Sequence, residues 1–155
     1  MKYLIYGVIF ALTLFKDGYA NEIDIKKIED NHNTYYKYLF ENDMDSLAKL
    51  FSFPSLFKGF VNDVQIAKNQ ADIKIIYQNL IKAAPQSKFF SNGRNYTEIN
   101  TSVESKNIFK MREDTYLLIV KYTQIDKKDN SLIFSGSASY LFIKKDSKWL
   151  ISGVF

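Results

Sequence analysis

The chain is 155 residues long, contains no cysteine and one histidine, and carries a formal net charge of +4. The lack of cysteine excludes disulfides and thiolate nucleophiles, and a single imidazole cannot build a zinc or iron site, so we expect no metal or other cofactor. Because the basic residues are spread along the chain without a cluster or motif, nucleic acid is not an expected partner.

Residues 1–20 have the three parts of a cleavable secretory signal. Lys2 precedes the apolar run Leu4–Phe15, and small residues, Gly18 and Ala20, stand three positions and one position before the expected cut. The run is shorter than the ~20 apolar residues that a membrane-spanning helix needs. We therefore predict cleavage after Ala20. This leaves one domain, residues 21–155, which is periplasmic or secreted and has no stable membrane anchor.

The first element of that domain is predicted to be a long helix over about Glu22–Glu41. Apolar and aromatic residues recur there at intervals of three and four, which marks one buried face of a helix. The histidine belongs to the same row, which consists of Ile25, Ile28, His32, Tyr35 and Leu39. We therefore expect the His32 ring to point into the domain.

A shorter second helix and a small hairpin are predicted next. The helix occupies NDMDSLAKLF (residues 42–51), with Asp43 as its N-cap and its apolar residues, including Phe51, facing inward. Pro54 prevents the helix from continuing, and turn residues follow within 53–67. We interpret this second segment as a hairpin.

A third helix is predicted to start after Lys68. Asn69 can cap it, and Asp72 stands three residues further on, where its carboxylate can reach back to the backbone. Its apolar stripe consists of Ile73, Ile76, Tyr77, Leu80 and Ile81. Pro85 should end the helix, and the residues from Ala84 to Asn95 are predicted to form a loop.

The C-terminal segment, from Tyr96 to Phe155, is predicted to form four consecutive β-strands joined by charged turns. The strands are YTEINTSVESKNIF, TYLLIVKYTQI, SLIFSGSASYLFI and WLISGVF, all rich in β-branched and aromatic residues. The second of them is apolar on both faces, so we expect it to be central and Val120 to be buried. Helices followed by a sheet indicate an α+β fold.

This order of elements resembles the nuclear transport factor 2-like superfamily, and within it the SnoaL-like branch, over nearly all of residues 21–155. The segment NDMDSLAKLF is similar to the family's bend between its first two helices, FPSL to its first short strand, and SASYLFIKKDSKWLISGVF to its closing hairpin. The resemblance implies a cone-shaped, curved antiparallel sheet wrapped around the long N-terminal helix, with two further helices and a cavity at the open end.

Seven aromatic or polar side chains on helix faces and strand interiors are candidates for the ligand-binding cavity that the resemblance implies. They are His32, Tyr35, Tyr36, Tyr77, Tyr116, Tyr140 and Trp149. Taken singly, each is expected more often in the core, because aromatic residues at such spacing commonly fill it. As a set they would form an apolar pocket with a few hydroxyls, which suits a small apolar or aromatic ligand.

The enzymes of this superfamily indicate which residues catalysis would need. Isomerase relatives place a carboxylate base near the first strand, where FPSLFKGF has none, and dehydratase and cyclase relatives use His and Asp from late strands, where residues 131–143 have neither. Epoxide hydrolase relatives pair Asp with Arg, and the only arginines here are Arg94 and Arg112, which belong to a predicted loop and a predicted turn. As a base, His32 would need an orienting carboxylate such as Glu29. We therefore expect a non-catalytic domain, with an isomerase, dehydratase or cyclase using a minimal His and Tyr site as the alternative.

Ser135, Ser137 and Ser139 alternate along one strand, which places three hydroxyls on one sheet face. They could face solvent, or they could form a flat surface against a second copy of the chain. The resemblance favours the second interpretation, because many members of the superfamily dimerise through the outer sheet face. A homodimer is therefore predicted. A protein partner in place of a small ligand, and a dimeric scaffold with a filled cavity, remain alternatives.

Overall fold

The computed structural model describes residues 21–58, 64–83 and 98–155. The predicted signal sequence and the predicted loop from Ala84 to Asn95, including Pro85, lie outside these residues. The described part of the chain forms three α-helices and six β-strands. None of its helices combines the length and the apolar composition that crossing a bilayer requires.

Helix α1 spans Glu22–Phe40, one residue shorter at its C-terminal end than predicted. The Asn21 side chain caps it by accepting a hydrogen bond of 3.0 Å from the Ile23 backbone N–H. The predicted apolar row faces the sheet, and Ile28, His32 and Tyr35 in it are buried. The expected inward orientation of His32 is therefore confirmed.

Helix α2 spans Met44–Ala48, and the Asp43 carboxylate caps it by accepting a 3.0 Å hydrogen bond from the Ser46 backbone N–H. The prediction that this helix runs to Phe51 was wrong, because Phe51 is the first residue of strand β1 (Phe51–Phe57). The Leu50 carbonyl accepts a 2.9 Å hydrogen bond from the backbone N–H of Ile151 in the last strand. Pairing with that strand replaces the final helical turn.

The predicted hairpin is confirmed, since β1 pairs antiparallel with β2 (Gln65–Ala67). Helix α3 follows over Gln70–Ala83. The Asn69 side chain accepts a 3.1 Å hydrogen bond from the Asp72 N–H, and the Asp72 carboxylate accepts one of 2.7 Å from the Lys68 N–H. The buried residues of this helix, Ile73, Tyr77 and Leu80, belong to the predicted stripe.

Three of the four C-terminal strands extend beyond their predicted C-terminal ends, and two of the turns are correspondingly tighter. They are β3 (Ile99–Arg112), β4 (Thr115–Asp126), β5 (Leu132–Lys145) and β6 (Lys148–Val154). The turn between β5 and β6 consists of Asp146 and Ser147, whose φ angles are 49° and 62°. Two positive φ angles are typical of a type I′ hairpin turn, which matches the right-handed twist of the strands.

The six strands form one curved, unclosed sheet in the order β2-β1-β6-β5-β4-β3. All neighbouring strands are antiparallel except β1 and β6, which are parallel, so the prediction of a purely antiparallel sheet needs correction. The β5–β6 hairpin sets the direction of β6. On its other side β6 pairs with β1, which is far away in sequence. Strand β4 is paired on both sides, as expected, but it is next to the edge strand rather than at the centre.

The two faces of the sheet differ in burial. The inward side chains of β4, Tyr116, Leu118 and Val120, are buried in the core shared with the helices. The outward side chains of β4 and β5 are half-buried or exposed, and they include Ser135, Ser137 and Ser139. The α+β architecture, with a curved sheet around the first helix, is the one predicted from the sequence.

Candidate ligand cavity

A cavity of about 200 Å³ lies between the C-terminal half of α1 and the inner face of the sheet. Most of its lining is apolar or aromatic, and a few polar atoms face into it. Its lining includes Tyr35, Tyr36, Leu39, Phe40, Lys58, Leu80, Thr101, Tyr122, Gln124, Phe134, Ser137, Ala138, Tyr140, Val154 and Phe155. Aromatic side chains among the described residues narrow this space without filling it.

Three tyrosines, Tyr35, Tyr36 and Tyr140, form one wall of the cavity. The hydroxyl oxygens of Tyr36 and Tyr140 are 3.2 Å apart, and the Tyr77 hydroxyl donates to that of Tyr35 at 3.0 Å. The Tyr35 and Tyr140 rings meet edge to face, with centroids 5.4 Å apart. Burial raises the pKa of both Tyr36 and Tyr140, so both keep their protons at neutral pH and remain hydrogen-bond donors.

His32 lies immediately behind this wall and does not line the cavity. Its ring meets Tyr140 and Tyr36 edge to face, at centroid distances of 4.6 and 4.9 Å. The side chain is fully buried, and neither ring nitrogen has a hydrogen-bond partner among the described residues. Desolvation lowers the pKa of His32 to about 3, with a smaller contribution from Lys106, so the imidazole is neutral at physiological pH.

This environment argues against the two chemical roles considered for His32. The Glu29–His32 dyad does not form, since Glu29 is partly exposed and the imidazole has no partner in the described part of the chain. A general base must also reach the proton that it removes. The tyrosine rings separate the imidazole of His32 from the cavity. The described residues also contain no group of three or more His, Cys, Asp or Glu side chains that could hold a metal ion.

Of the seven predicted cavity residues, four form or contact the tyrosine wall of the cavity and three lie elsewhere in the core. Tyr35, Tyr36 and Tyr140 line the cavity, and His32 contacts that wall from behind. The other three, Tyr77, Tyr116 and Trp149, are buried in the core and do not line the cavity. Whether the lining residues bind a ligand remains a prediction.

Trp149 belongs instead to a polar cluster against the first turn of α1. Its indole N–H donates to the Asp24 carboxylate at 2.9 Å, and the Lys144 ammonium lies 3.2 Å from the same oxygen. The Tyr116 and Trp149 rings meet edge to face at 5.0 Å. Chiefly through the Trp149 hydrogen bond, the pKa of Asp24 lies below its ordinary value. The sequence indicated this burial, because Asp24 stands four residues before Ile28 in the buried helical row.

Two polar cavity residues, Gln124 and Thr101, were not predicted. Gln124 is 5% exposed, and its side-chain oxygen has no hydrogen-bond partner among the described residues. The Thr101 hydroxyl also has no hydrogen-bond partner among them. The two residues are directly opposite each other in the β3–β4 register. The sequence signal was present, because Gln124 continues the inward alternation of Tyr116, Leu118, Val120 and Tyr122.

The fold and the cavity define an α+β cone domain with an open, mostly apolar interior. No protein-family model matches the chain, and no curated protein matches it in sequence. Solved structures do match. One is a protein of unknown function with a cystatin-like fold from Nostoc punctiforme, with a TM-score of 0.66 and 15% identity over 86% of this chain and 90% of that chain.

Two further structures, both from Novosphingobium aromaticivorans, give the same fold. A nuclear transport factor 2-like protein with a cystatin-like fold has a TM-score of 0.57 and 12% identity over 95% of this chain and 84% of that chain. A putative scytalone dehydratase has a TM-score of 0.59 and 16% identity over 85% of this chain and 81% of that chain. These neighbours confirm the predicted nuclear transport factor 2-like fold. At these identities they show the fold alone, and the SnoaL-like branch stays a prediction.

Proposed function

We propose that this domain binds a small apolar or aromatic molecule in the cavity between α1 and the inner sheet face, without transforming it. The cavity lining carries this proposal, because it combines apolar walls with a few polar groups that could orient a ligand. An apolar cavity of about 150 Å³ can hold benzene. A cavity of about 200 Å³ therefore suits one aromatic ring or two fused rings.

An enzyme that uses the same cavity is the alternative, and the scytalone dehydratase-like neighbour is its main support. General acid and base catalysis needs groups that exchange protons near neutral pH. Among the described residues that line the cavity, the titratable groups are tyrosines and Lys58. This composition supports binding over catalysis.

A cavity-filling substitution tests the proposed site. Ala138 lines the cavity from β5, so Ala138→Phe should fill part of it and weaken binding of 2-methylnaphthalene by at least about tenfold, since the added ring would overlap the ligand. Ser135→Phe introduces the same ring on the outer face of the same strand and should leave affinity unchanged. Ligand-observed NMR titration gives the three affinities. Equal binding by a folded Ala138→Phe protein would place the site elsewhere.

We also propose that the mature domain starts at Asn21 and is exported to the periplasm or secreted. The signal-like pattern of residues 1–20 supports this proposal. N-terminal sequencing of the protein recovered outside the cytoplasm should begin at Asn21. A Met1 start in the membrane fraction would mean that the leader is retained as an anchor.

A homodimer that packs through the outer sheet face is a second proposal, and it is compatible with ligand binding. Phe109, Leu117 and Leu141 are neighbours in register across β3, β4 and β5, on the face directed away from the helices. Phe109 is 50% exposed, and the other two are partly exposed. An apolar row beside the small serine side chains of β5 would suit a flat contact with a second copy. The same face could instead receive a different protein.

A further inference from the structure

We propose that the ligand carries a neutral hydroxyl group, which binds between Gln124 and Thr101 at the β3–β4 side of the cavity. This inference rests on the proposed binding function and specifies the chemical class of the ligand. The expected class is a phenol or aromatic alcohol of one or two rings.

The cavity lining contains two polar groups that need an explanation, one on Gln124 and one on Thr101. Buried polar atoms in folded proteins almost always have hydrogen-bond partners, and those without them need an explanation. Gln124 is buried, with 5% of its surface exposed, but its side-chain oxygen has no hydrogen-bond partner among the described residues. The Thr101 hydroxyl has no hydrogen-bond partner there either. Both residues line the cavity, and both belong to one cross-strand pair. Their unused hydrogen-bonding capacity therefore converges at a single place.

A neutral hydroxyl group on the ligand would satisfy the hydrogen-bonding groups of Gln124 and Thr101. An amide offers an acceptor and donors, and a threonine hydroxyl can both donate and accept. A ligand hydroxyl matches both, because it can donate to the Gln124 oxygen and accept from Thr101. A carboxylate fits less well, because it would place a negative charge against the amide oxygen of Gln124.

Two aromatic side chains, Phe134 and Tyr122, lie where the apolar part of the ligand would bind. Phe134 is opposite Gln124 in the β4–β5 register, and its ring centroid is 5.8 Å from that of Tyr122. Both rings line the cavity beside the polar pair. They provide an aromatic surface against which a ring attached to the hydroxyl can pack. A polar group and aromatic walls at one end of the cavity together favour an aromatic alcohol over a purely apolar molecule.

The test compares two probes of nearly equal shape, 2-naphthol and 2-methylnaphthalene, which differ by a hydroxyl in place of a methyl. The wild-type protein should bind 2-naphthol about tenfold more tightly, the effect expected from a net gain of one or two neutral hydrogen bonds. Gln124→Leu should reduce that preference to about one. Thr101→Val should reduce the preference partially. It also provides a second variant if Gln124→Leu does not fold.

The outcomes separate this inference from the proposed function. Equal binding of the two probes by the wild type would overturn the hydroxyl inference and leave the cavity proposal intact. A preference that survives in both variants would also overturn it, since the hydroxyl would then bind elsewhere, for example at Tyr36 and Tyr140. If the wild type binds neither probe, both proposals fail. Loss of the preference in Gln124→Leu, with binding of 2-methylnaphthalene retained, supports both.

Discussion

At the scale of single residues, His32 combines full burial with ring nitrogens that have no partner among the described residues. The surroundings of its ring include the neutral Tyr36 and Tyr140, and Lys106 is a nearby positive charge. Burial of the ring and the positive charge of Lys106 both disfavour the imidazolium form. Protonation of His32 should therefore oppose folding, which makes stability depend on pH.

The sign of this dependence follows from the pKa of His32, which is about 3 in the folded domain and about 6.5 in an unfolded chain. Above pH 6.5 both states are neutral at this residue. Between pH 6.5 and 3 only the unfolded state binds the proton, so the free energy of unfolding should fall by about 1.4 kcal/mol per pH unit. Wild-type protein should therefore be about 2 kcal/mol less stable at pH 5 than at pH 7.

Replacing His32 with Phe should remove this loss, because Phe fills a similar volume and cannot bind a proton. Urea unfolding of both proteins at pH 7 and pH 5 measures the difference. The lowered pKa of Asp24 puts its titration below this range, so that carboxylate does not mask the effect. The same loss of stability in His32→Phe would show that another group is responsible.

At the scale of secondary-structure elements, strand β4 shows how a side chain on a neighbouring strand should change the free-energy cost of burying a charge. Leu118 and Val120 are both fully buried on its inner face. On β3, Ile108 is opposite Leu118, whereas Lys106 is opposite Val120. A carboxylate at position 120 would therefore have a cation beside it, and one at position 118 would not.

We expect Leu118→Asp to destabilise the domain by about 3–5 kcal/mol, as other unpaired buried charges do. Val120→Asp should cost up to about 1 kcal/mol less, the contribution of a cross-strand pair of opposite charges. In a Lys106→Met background the cost of Val120→Asp should rise by the same amount, and the cost of Leu118→Asp should not change. Urea unfolding at pH 7 measures both costs in both backgrounds. An unchanged cost of Val120→Asp in the Lys106→Met background would mean that Lys106 does not reach position 120.

The same elements show how far the sequence could predict the fold. Period-two alternation identified the inward residues of β4, and period-three-and-four spacing identified the buried row of α1, because each local pattern reflects one buried face. The parallel pairing of β1 with β6 was missed, because local patterns do not specify which distant strand becomes a neighbour. Phe51 was misassigned to α2 for the same reason, since only its pairing with Ile151 decides between helix and strand.

The candidate site was predicted less completely than the fold. Periodicity shows that Tyr36, Tyr116 and Trp149 face inward, but it does not show which end of the cone each one reaches. Curvature of the sheet brings Trp149 against Asp24 and brings Tyr140 against Tyr36. Gln124 was missed although it continues the inward alternation of β4, because the sequence does not show that a polar residue there lacks a hydrogen-bond partner. Such a residue stands out only once its side chain is shown to be buried without a partner.

At the scale of the whole molecule, the two proposed functions belong to opposite faces of the sheet. The inner face, with α1, encloses the cavity, and the outer face carries the partly exposed row of Phe109, Leu117 and Leu141. A second copy of the chain on the outer face would therefore leave the inner-face residues of the cavity lining uncovered. Assembly and ligand binding should be separable by substitution.

The last prediction tests this separation with one substitution at two positions. Ile119 is on the outer face of β4, opposite Ser139, and Ile75 is exposed on α3 away from the sheet. Ile119→Lys should convert a wild-type dimer into a monomer, because dimer formation would bury the added charge without a partner. Ile75→Lys should remain a dimer. Light scattering coupled to size-exclusion chromatography gives the masses, and titration with 2-methylnaphthalene should give one affinity for all three proteins. A monomeric wild type, or a dimeric Ile119→Lys, would rule out this interface.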